Sequence, residues 1–166
     1  GNMRDIDYTW NVGTTTKPEM LKSFFEYLYK AMEDTEAKLS VDLFGMTTTV
    51  SVDMNIGQIL ENALPYFDYI SPMVYPSHYP KGYNGYSNPA DHPYEVIILA
   101  MKTGSEKLLA ASSTPSKLRP WLQDFDLGAD YTAEMIRKEK QAVYDAGLDS
   151  WLLWDPANKY TRGALD

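Results

Sequence analysis

The residues best suited to chemistry are a single aspartate in an apolar run and a set of aromatic and histidine side chains. Asp42 lies within residues 39–45, which are otherwise mainly apolar and end at a glycine. A carboxylate in such a run is costly to bury unless it is paired or hydrogen-bonded. Asp42 is therefore either a catalytic or substrate-orienting acid, or an acid that holds the following loop or a neighbouring arginine.

A second apolar run, residues 66–75, ends in side chains that could contact a substrate. Met73 and Tyr75 fall on one face of a strand, since side chains alternate. His78 follows in the loop, and a histidine titrates close enough to neutrality for proton transfer. It could equally be a loop histidine bonded to backbone. Tyr79 begins a series of loop tyrosines, whose rings with a polar tip suit either sugar faces or loop packing.

Two further runs end in aromatic and polar residues. Trp121 and Gln123 alternate onto one face of residues 118–125, and Trp154 with Asp155 ends residues 150–154. The ring of Trp154 could form the floor of a sugar subsite, or it could fill the top of a barrel.

Strand-like and helical segments alternate along the chain. We predict helices over residues 18–38, 56–64, 93–104 and 132–147 and from Asn158, with strands over 39–45, 66–75, 118–125 and 150–154. Thr16 and Glu19 form a capping box, while Asp91 and Thr132 are expected N-caps. This alternation indicates a parallel sheet with right-handed crossovers, which collects functional groups at the carboxyl ends of its strands.

Composition excludes several functions. The 166 residues fit one domain, and 15 Lys+Arg against 23 Asp+Glu give a net charge of −8, which argues against nucleic-acid binding. There is no cysteine and there are two histidines, so we expect no disulfide, thiolate zinc site or other metal centre. We also expect no cofactor and no membrane span, because the sequence has neither a phosphate-binding glycine loop nor an apolar run near ~20 residues. The charged stretches 34–36 and 137–140 are typical of solvated helix surfaces.

Several motifs together resemble a bacterial family of glycosyl hydrolase domains. They are Val41-Asp42-Leu43-Phe44-Gly45, the run Tyr66 to Tyr79 (YFDYISPMVYPSHY), Asn88-Pro89, His92-Pro93-Tyr94-Glu95-Val96, Leu118-Arg119-Pro120-Trp121-Leu122-Gln123 and Trp151-Leu152-Leu153-Trp154-Asp155-Pro156. A more distant likeness runs to chitinase-type barrels, where a Met-x-Tyr strand end and a last-strand tryptophan line the sugar site. This sequence has Pro76 where those enzymes place an aspartate.

The resemblance implies an α/β fold of (β/α)8 type. Residues 1–166 would form a single partial domain, the C-terminal half of a TIM barrel, with strands five to eight preceded by helix four. An aspartate-containing strand-four motif would then lie immediately before Gly1. The open edges would be covered by the N-terminal half of the barrel or by a second copy of the chain.

The resemblance also implies a glycoside hydrolase that acts on a polysaccharide or cell-wall glycan through paired carboxylates, outside the cell or in its envelope. Asp42 would be the general acid of this half, and the half alone would be inactive. The sugar-binding residues would be Met73, Tyr75, His78, Tyr79, Trp121, Gln123, Trp154 and Asp155, although the family usually has asparagine at the last of these positions. The alternatives are a non-catalytic carbohydrate-binding or cell-envelope interaction domain, and a barrel with unrelated small-molecule chemistry.

Overall fold

The computed structural model describes residues 14–165, which fold into four strands that alternate with four α-helices. The strands are β1 (Ser40–Phe44), β2 (Tyr69–Met73), β3 (Trp121–Gln123) and β4 (Leu152–Trp154). The helices are α1 (Lys17–Met32), α2 (Leu60–Ala63), α3 (Pro93–Ala110) and α4 (Ala133–Asp145).

The strands form one sheet in the order β1-β2-β3-β4, and every neighbouring pair is parallel. The predicted parallel α/β architecture is therefore confirmed. Asp42 pairs with Ser71 in the β1–β2 register, and Gln123 pairs with Trp154 in the β3–β4 register. The sequential order and uniform direction are compatible with half of a TIM barrel.

The predicted elements are present, but several of their boundaries were wrong. Helix α1 ends at Met32 rather than at residue 38, and α3 continues past Gly104 to Ala110. The continuation has a packing cause, because Leu108 on the added turn is fully buried. The helix predicted over 56–64 shrinks to the four residues of α2, and the helix expected from Asn158 is a 3₁₀ turn, Arg162–Ala164.

Two of the three predicted helix caps are confirmed. The Glu19 amide donates to Thr16 Oγ1, the Thr16 amide donates to Glu19 Oε2 at 2.7 Å, and Thr132 caps α4. The third was wrong: residue 92 occupies the N-cap of α3 without a side-chain cap, and Asp91 instead accepts from Asn88 Nδ2 at 2.7 Å.

One face of the sheet is covered by helices. Leu43, Ile70 and Leu122 point to that face and share a single apolar cluster with residues of α3 and α4. The cluster's fully buried side chains include Leu43, Leu60, Ile70, Ile97, Met101, Leu108 and Leu122. Burial of these apolar side chains stabilises the fold. The alternate strand residues lie on the other face of the sheet.

Gly45 allows the carboxyl end of β1 to approach β2 closely. A Cβ atom at this position would lie 2.8 Å from the Tyr79 hydroxyl and 2.9 Å from the Val74 Cα, and would collide with the Met73 carbonyl oxygen. Two of these neighbours are backbone atoms, so they cannot move without shifting β2.

We therefore expect Gly45→Ala to lower the free energy of unfolding by about 1–3 kcal/mol through overpacking. Chemical denaturation of the two proteins measures the difference. Gly163→Ala is the matched control, since its Cβ would meet only Ala133 Cβ, at 3.9 Å. Equal stabilities of the two variants would contradict this account of the β1–β2 contact.

Candidate functional site

The second face of the sheet, here called the open face, carries the alternate residues of all four strands. These are Ser40, Asp42, Phe44, Tyr69, Ser71, Met73, Trp121, Gln123, Leu152 and Trp154. Asp42 is the only carboxylate among these strand residues. The open face therefore presents one acid among aromatic, apolar and small polar side chains.

Asp42 is exposed on the open face, so the cost of burying a charge does not arise. Its Oδ1 accepts a hydrogen bond of 2.9 Å from the Trp121 indole Nε1. No ion pair of residues 14–165 includes Asp42, so the arginine considered from sequence is not its partner. The carboxylate is held by an uncharged donor and keeps an oxygen available for other contacts.

The tryptophan that bonds to this carboxylate packs against a second tryptophan. The rings of Trp121 and Trp154 meet edge to face, with centroids 5.9 Å apart. Trp154 remains 43% exposed at the end of β4. An acid bonded to one of two packed tryptophans is an arrangement that suits sugars, because apolar C–H faces stack on aromatic rings while hydroxyls bond to a carboxylate.

Tyr75 and His78 pack together at the carboxyl end of β2. Their rings lie 5.2 Å apart edge to face, and Phe125 contacts both. Burial raises the pKa of Tyr75, and the nearby negative charge of Asp42 raises it further. The phenol of Tyr75 therefore keeps its proton. Partial desolvation of the imidazole lowers the pKa of His78 below its ordinary value, so the neutral form predominates at physiological pH.

Met73 and Tyr79 lie toward a neighbouring pocket rather than toward Asp42. Met73 is partly buried, and Tyr79 is buried with its ring 4.5 Å from that of Tyr83. Both line a cavity of about 400 Å³, together with Tyr75 and His78.

Gln123 lies on the open face but is completely buried. Its Oε1 accepts from the amide and the hydroxyl of Ser77, and its Nε2 donates to the Phe125 carbonyl at 2.9 Å. Both ends of the amide thus join two loops. The buried side chain of Gln123 therefore holds the Tyr75–His78 segment in place.

Asp155 is partly exposed and is engaged with its own turn. Its Oδ1 accepts from the amides of Ala157 at 2.5 Å and Lys159 at 3.3 Å. This arrangement stabilises the turn after β4 and accounts for an aspartate at that position without a substrate.

Glu139 is a buried acid that sequence reasoning missed. The stretch 137–140 was expected to be solvated, and for Glu139 this was wrong, because it is fully buried. Its carboxyl group accepts hydrogen bonds from the Tyr131 hydroxyl at 2.7 Å and from the backbone N–H of Gln123 at 3.0 Å. The helical spacing could have predicted this burial, because Glu139 lies three residues from both Ile136 and Ala142 on the apolar face of α4. The other charged stretch, 34–36, is exposed as expected.

Burial raises the pKa of Glu139 well above its ordinary value. The folded state therefore binds a proton that the unfolded state releases above about pH 4.5. We expect the free energy of unfolding of the unsubstituted protein to fall relative to that of Glu139→Gln as pH rises from about 4.5 toward the raised pKa. The fall should be at most about 1.4 kcal/mol per pH unit. Denaturant unfolding of both proteins across pH 4–8 measures this.

Glu134→Gln is the control on the same helix. A hydrogen bond from Lys138 lowers the pKa of this exposed carboxyl. Its stabilising contribution is therefore present at neutral pH and lost on acidification, which is the opposite sign. If the difference in free energy of unfolding between the unsubstituted protein and Glu139→Gln stays constant with pH, the folded state does not take up the proton.

Two kinds of feature are absent from the described residues. Residues 14–165 contain no cluster of three or more potential metal-ligating side chains. No helix in the same range combines the length and apolar character that crossing a membrane requires.

Comparison with known proteins gives one family. The family described as "Putative glycosyl hydrolase domain" matches residues 1–160, nearly the whole chain. No curated protein matches the sequence.

Proposed function

Because the chain belongs to the family described as "Putative glycosyl hydrolase domain", we propose that its open face is part of the active site of an enzyme that hydrolyses glycosidic bonds. The observation that carries the proposal is the exposed Asp42 carboxylate bonded to Trp121, whose ring packs against the exposed ring of Trp154. A carboxylate beside aromatic rings combines the acid chemistry and the stacking surface that glycan hydrolysis needs.

The chain would supply one half of the catalytic domain. In this proposal β1 to β4 are strands five to eight of a TIM barrel, and α1 is helix four. The all-parallel sequential sheet supports it, and so does the open face, which presents side chains such as Phe44, 54% exposed, that a closed barrel would enclose. The intact protein would act on a polysaccharide or cell-wall glycan.

Glycosidases generally need two carboxyl groups on either side of the scissile bond. Asp42 is the single strand carboxylate of the open face, so the second would come from a strand outside this sheet. From sequence, Asp42 is assigned the role of general acid. The hydrogen bond from Trp121 Nε1 would hold this carboxyl group in a fixed orientation.

Of the remaining side chains, some would contact the sugar and others would hold those side chains in position. Trp154 and Trp121 would stack on sugar rings, and the neutral Tyr75 and His78 would offer polar edges. Buried Gln123 would fix the loop that carries His78.

In the full-length protein we expect Asp42→Asn to reduce glycan hydrolysis by at least about 10³-fold, because a catalytic carboxylate is lost while the side-chain shape is kept. A screen of polysaccharides by reducing-sugar release measures this, followed by kcat/KM on the best substrate. Asp149→Asn is the matched control, since Asp149 is an exposed aspartate in the turn before β4, at the other end of the sheet.

Two results would contradict the proposal. Hydrolysis that survives Asp42→Asn would remove this residue from catalysis. Glycan binding without hydrolysis by the full-length protein would favour the non-catalytic carbohydrate-binding domain instead.

Trp121→Phe tests the indole hydrogen bond, because it keeps an aromatic ring and removes the Nε1 donor. We expect kcat to fall by about tenfold or more, the order of a hydrogen bond to a charged group, with a smaller change in KM. Steady-state kinetics on the same substrate separate the two constants. An unchanged kcat would show that the bond to Asp42 does not support catalysis.

A further inference from the structure

An arginine on the open face has no partner for its charge. Arg119 lies two residues before Trp121, so side-chain alternation places the two side chains on the same face of the sheet. Its neighbour Leu118 is buried in the apolar cluster on the helix-covered face, as that placement requires. The backbone N–H of Arg119 donates to the Ile70 carbonyl at 2.9 Å, which fixes the residue to β2 although it precedes β3.

The guanidinium group of Arg119 lies on an aromatic ring and makes no ion pair. Its central carbon is 5.5 Å from the centroid of the Tyr69 ring, which belongs to the open face. No ion pair of residues 14–165 includes Arg119, and its Nε is buried without a hydrogen-bond partner. The side chain as a whole is only partly buried, so its terminal nitrogens remain within reach of a neighbouring surface.

A guanidinium group that becomes covered needs a negative partner. Removing its charge from water is costly unless the charge is paired, and the two oxygens of a carboxylate match the fork of an arginine. In the proposed function the open face is closed by the other half of a barrel, whose interior is packed with side chains. Closure would leave Arg119 unpaired unless the covering surface brings a carboxylate.

The position of Arg119 favours a protein carboxylate over an anionic group of the substrate. A strand rises about 3.3 Å per residue, so Arg119 lies about 6–7 Å from Trp121 toward the amino ends of the strands. Tyr69, on which its guanidinium rests, is the first residue of β2. Substrates of parallel barrels bind at the carboxyl ends, and Trp121, bonded to Asp42, is nearer to that end.

A second copy of the chain is a poor source of this carboxylate. The strands of the open face contribute one acid, Asp42, which already accepts a hydrogen bond from the Trp121 indole. Two open faces placed together would therefore offer Arg119 no uncommitted strand carboxylate. Charge complementarity favours a different covering surface, the N-terminal half of the barrel.

We propose that the N-terminal half of the barrel carries an aspartate or glutamate that pairs with Arg119 when the open face is closed. This ion pair would join the two halves below the sugar site. The inference rests on the proposed function and adds the chemistry of the surface that completes the catalytic domain.

The first test is the crystal structure of the unsubstituted full-length protein. We expect a carboxylate oxygen of the N-terminal half about 2.7–2.9 Å from a terminal nitrogen of Arg119. This structure decides for or against the ion pair even if substitutions at Arg119 prevent folding.

The second test is the melting temperature of full-length variants. Arg119→Met should lower it by at least about 6 °C, because the partner carboxylate is left buried and unpaired. Neutralising that carboxylate, by Asp→Asn or Glu→Gln in the Arg119→Met background, should recover at least half of the loss. A side chain that only fills space would give no such recovery. Arg162→Met, at an exposed arginine, is the matched control and should change the melting temperature by less than about 2 °C.

Each contrary result has a distinct meaning. If Arg119 meets only water or backbone carbonyls in a closed barrel, or if neutralising the carboxylate recovers nothing, the ion pair is overturned and the role of Asp42 stands. A carboxylate from a second copy, or an anionic group of a bound glycan, at Arg119 would overturn the assigned partner. An open face that stays uncovered in the full-length protein would overturn both the ion pair and the proposed half barrel.

Discussion

The hydrogen bond from the Trp121 indole to Asp42 links the first and third strands across the second. On the intervening strand, Asp42 pairs in register with the fully buried Ser71 and Trp121 pairs with Met73. The bond fixes the orientation of the carboxylate and sets the Trp121 ring against Trp154. The acid and the aromatic surface are therefore parts of one arrangement.

Support for this arrangement comes from behind β3. Buried Glu139 on α4 accepts a hydrogen bond from the backbone N–H of Gln123. The side-chain oxygen of Gln123 in turn holds the loop that contains Ser77. A chain of hydrogen bonds thus runs from a helix through the strand that carries Trp121 to the Tyr75–His78 segment. Removing one member would leave buried polar groups unpaired, which costs more than the bond itself contributes.

Sequence alone predicted the parallel sheet because alternating apolar runs and helical periodicity are local signals. It also chose side chains that share the open face, since strand alternation fixes which residues lie together. It could not show that Gln123 and Tyr79 are buried, because both facts depend on loops packing across the sheet. Element ends were misjudged for the same reason, as at α3, where burial of Leu108 extends the helix.

The most direct measurement is the crystal structure of full-length Asp42→Asn with a bound oligosaccharide. We predict a sugar ring stacked on Trp154 and the glycosidic oxygen or anomeric carbon within about 3–3.5 Å of the substituted side chain at position 42. A second carboxyl should lie across the scissile bond, on a strand outside the four described above. An oligosaccharide bound on the helix-covered side, or with its glycosidic bonds remote from position 42, would contradict the account.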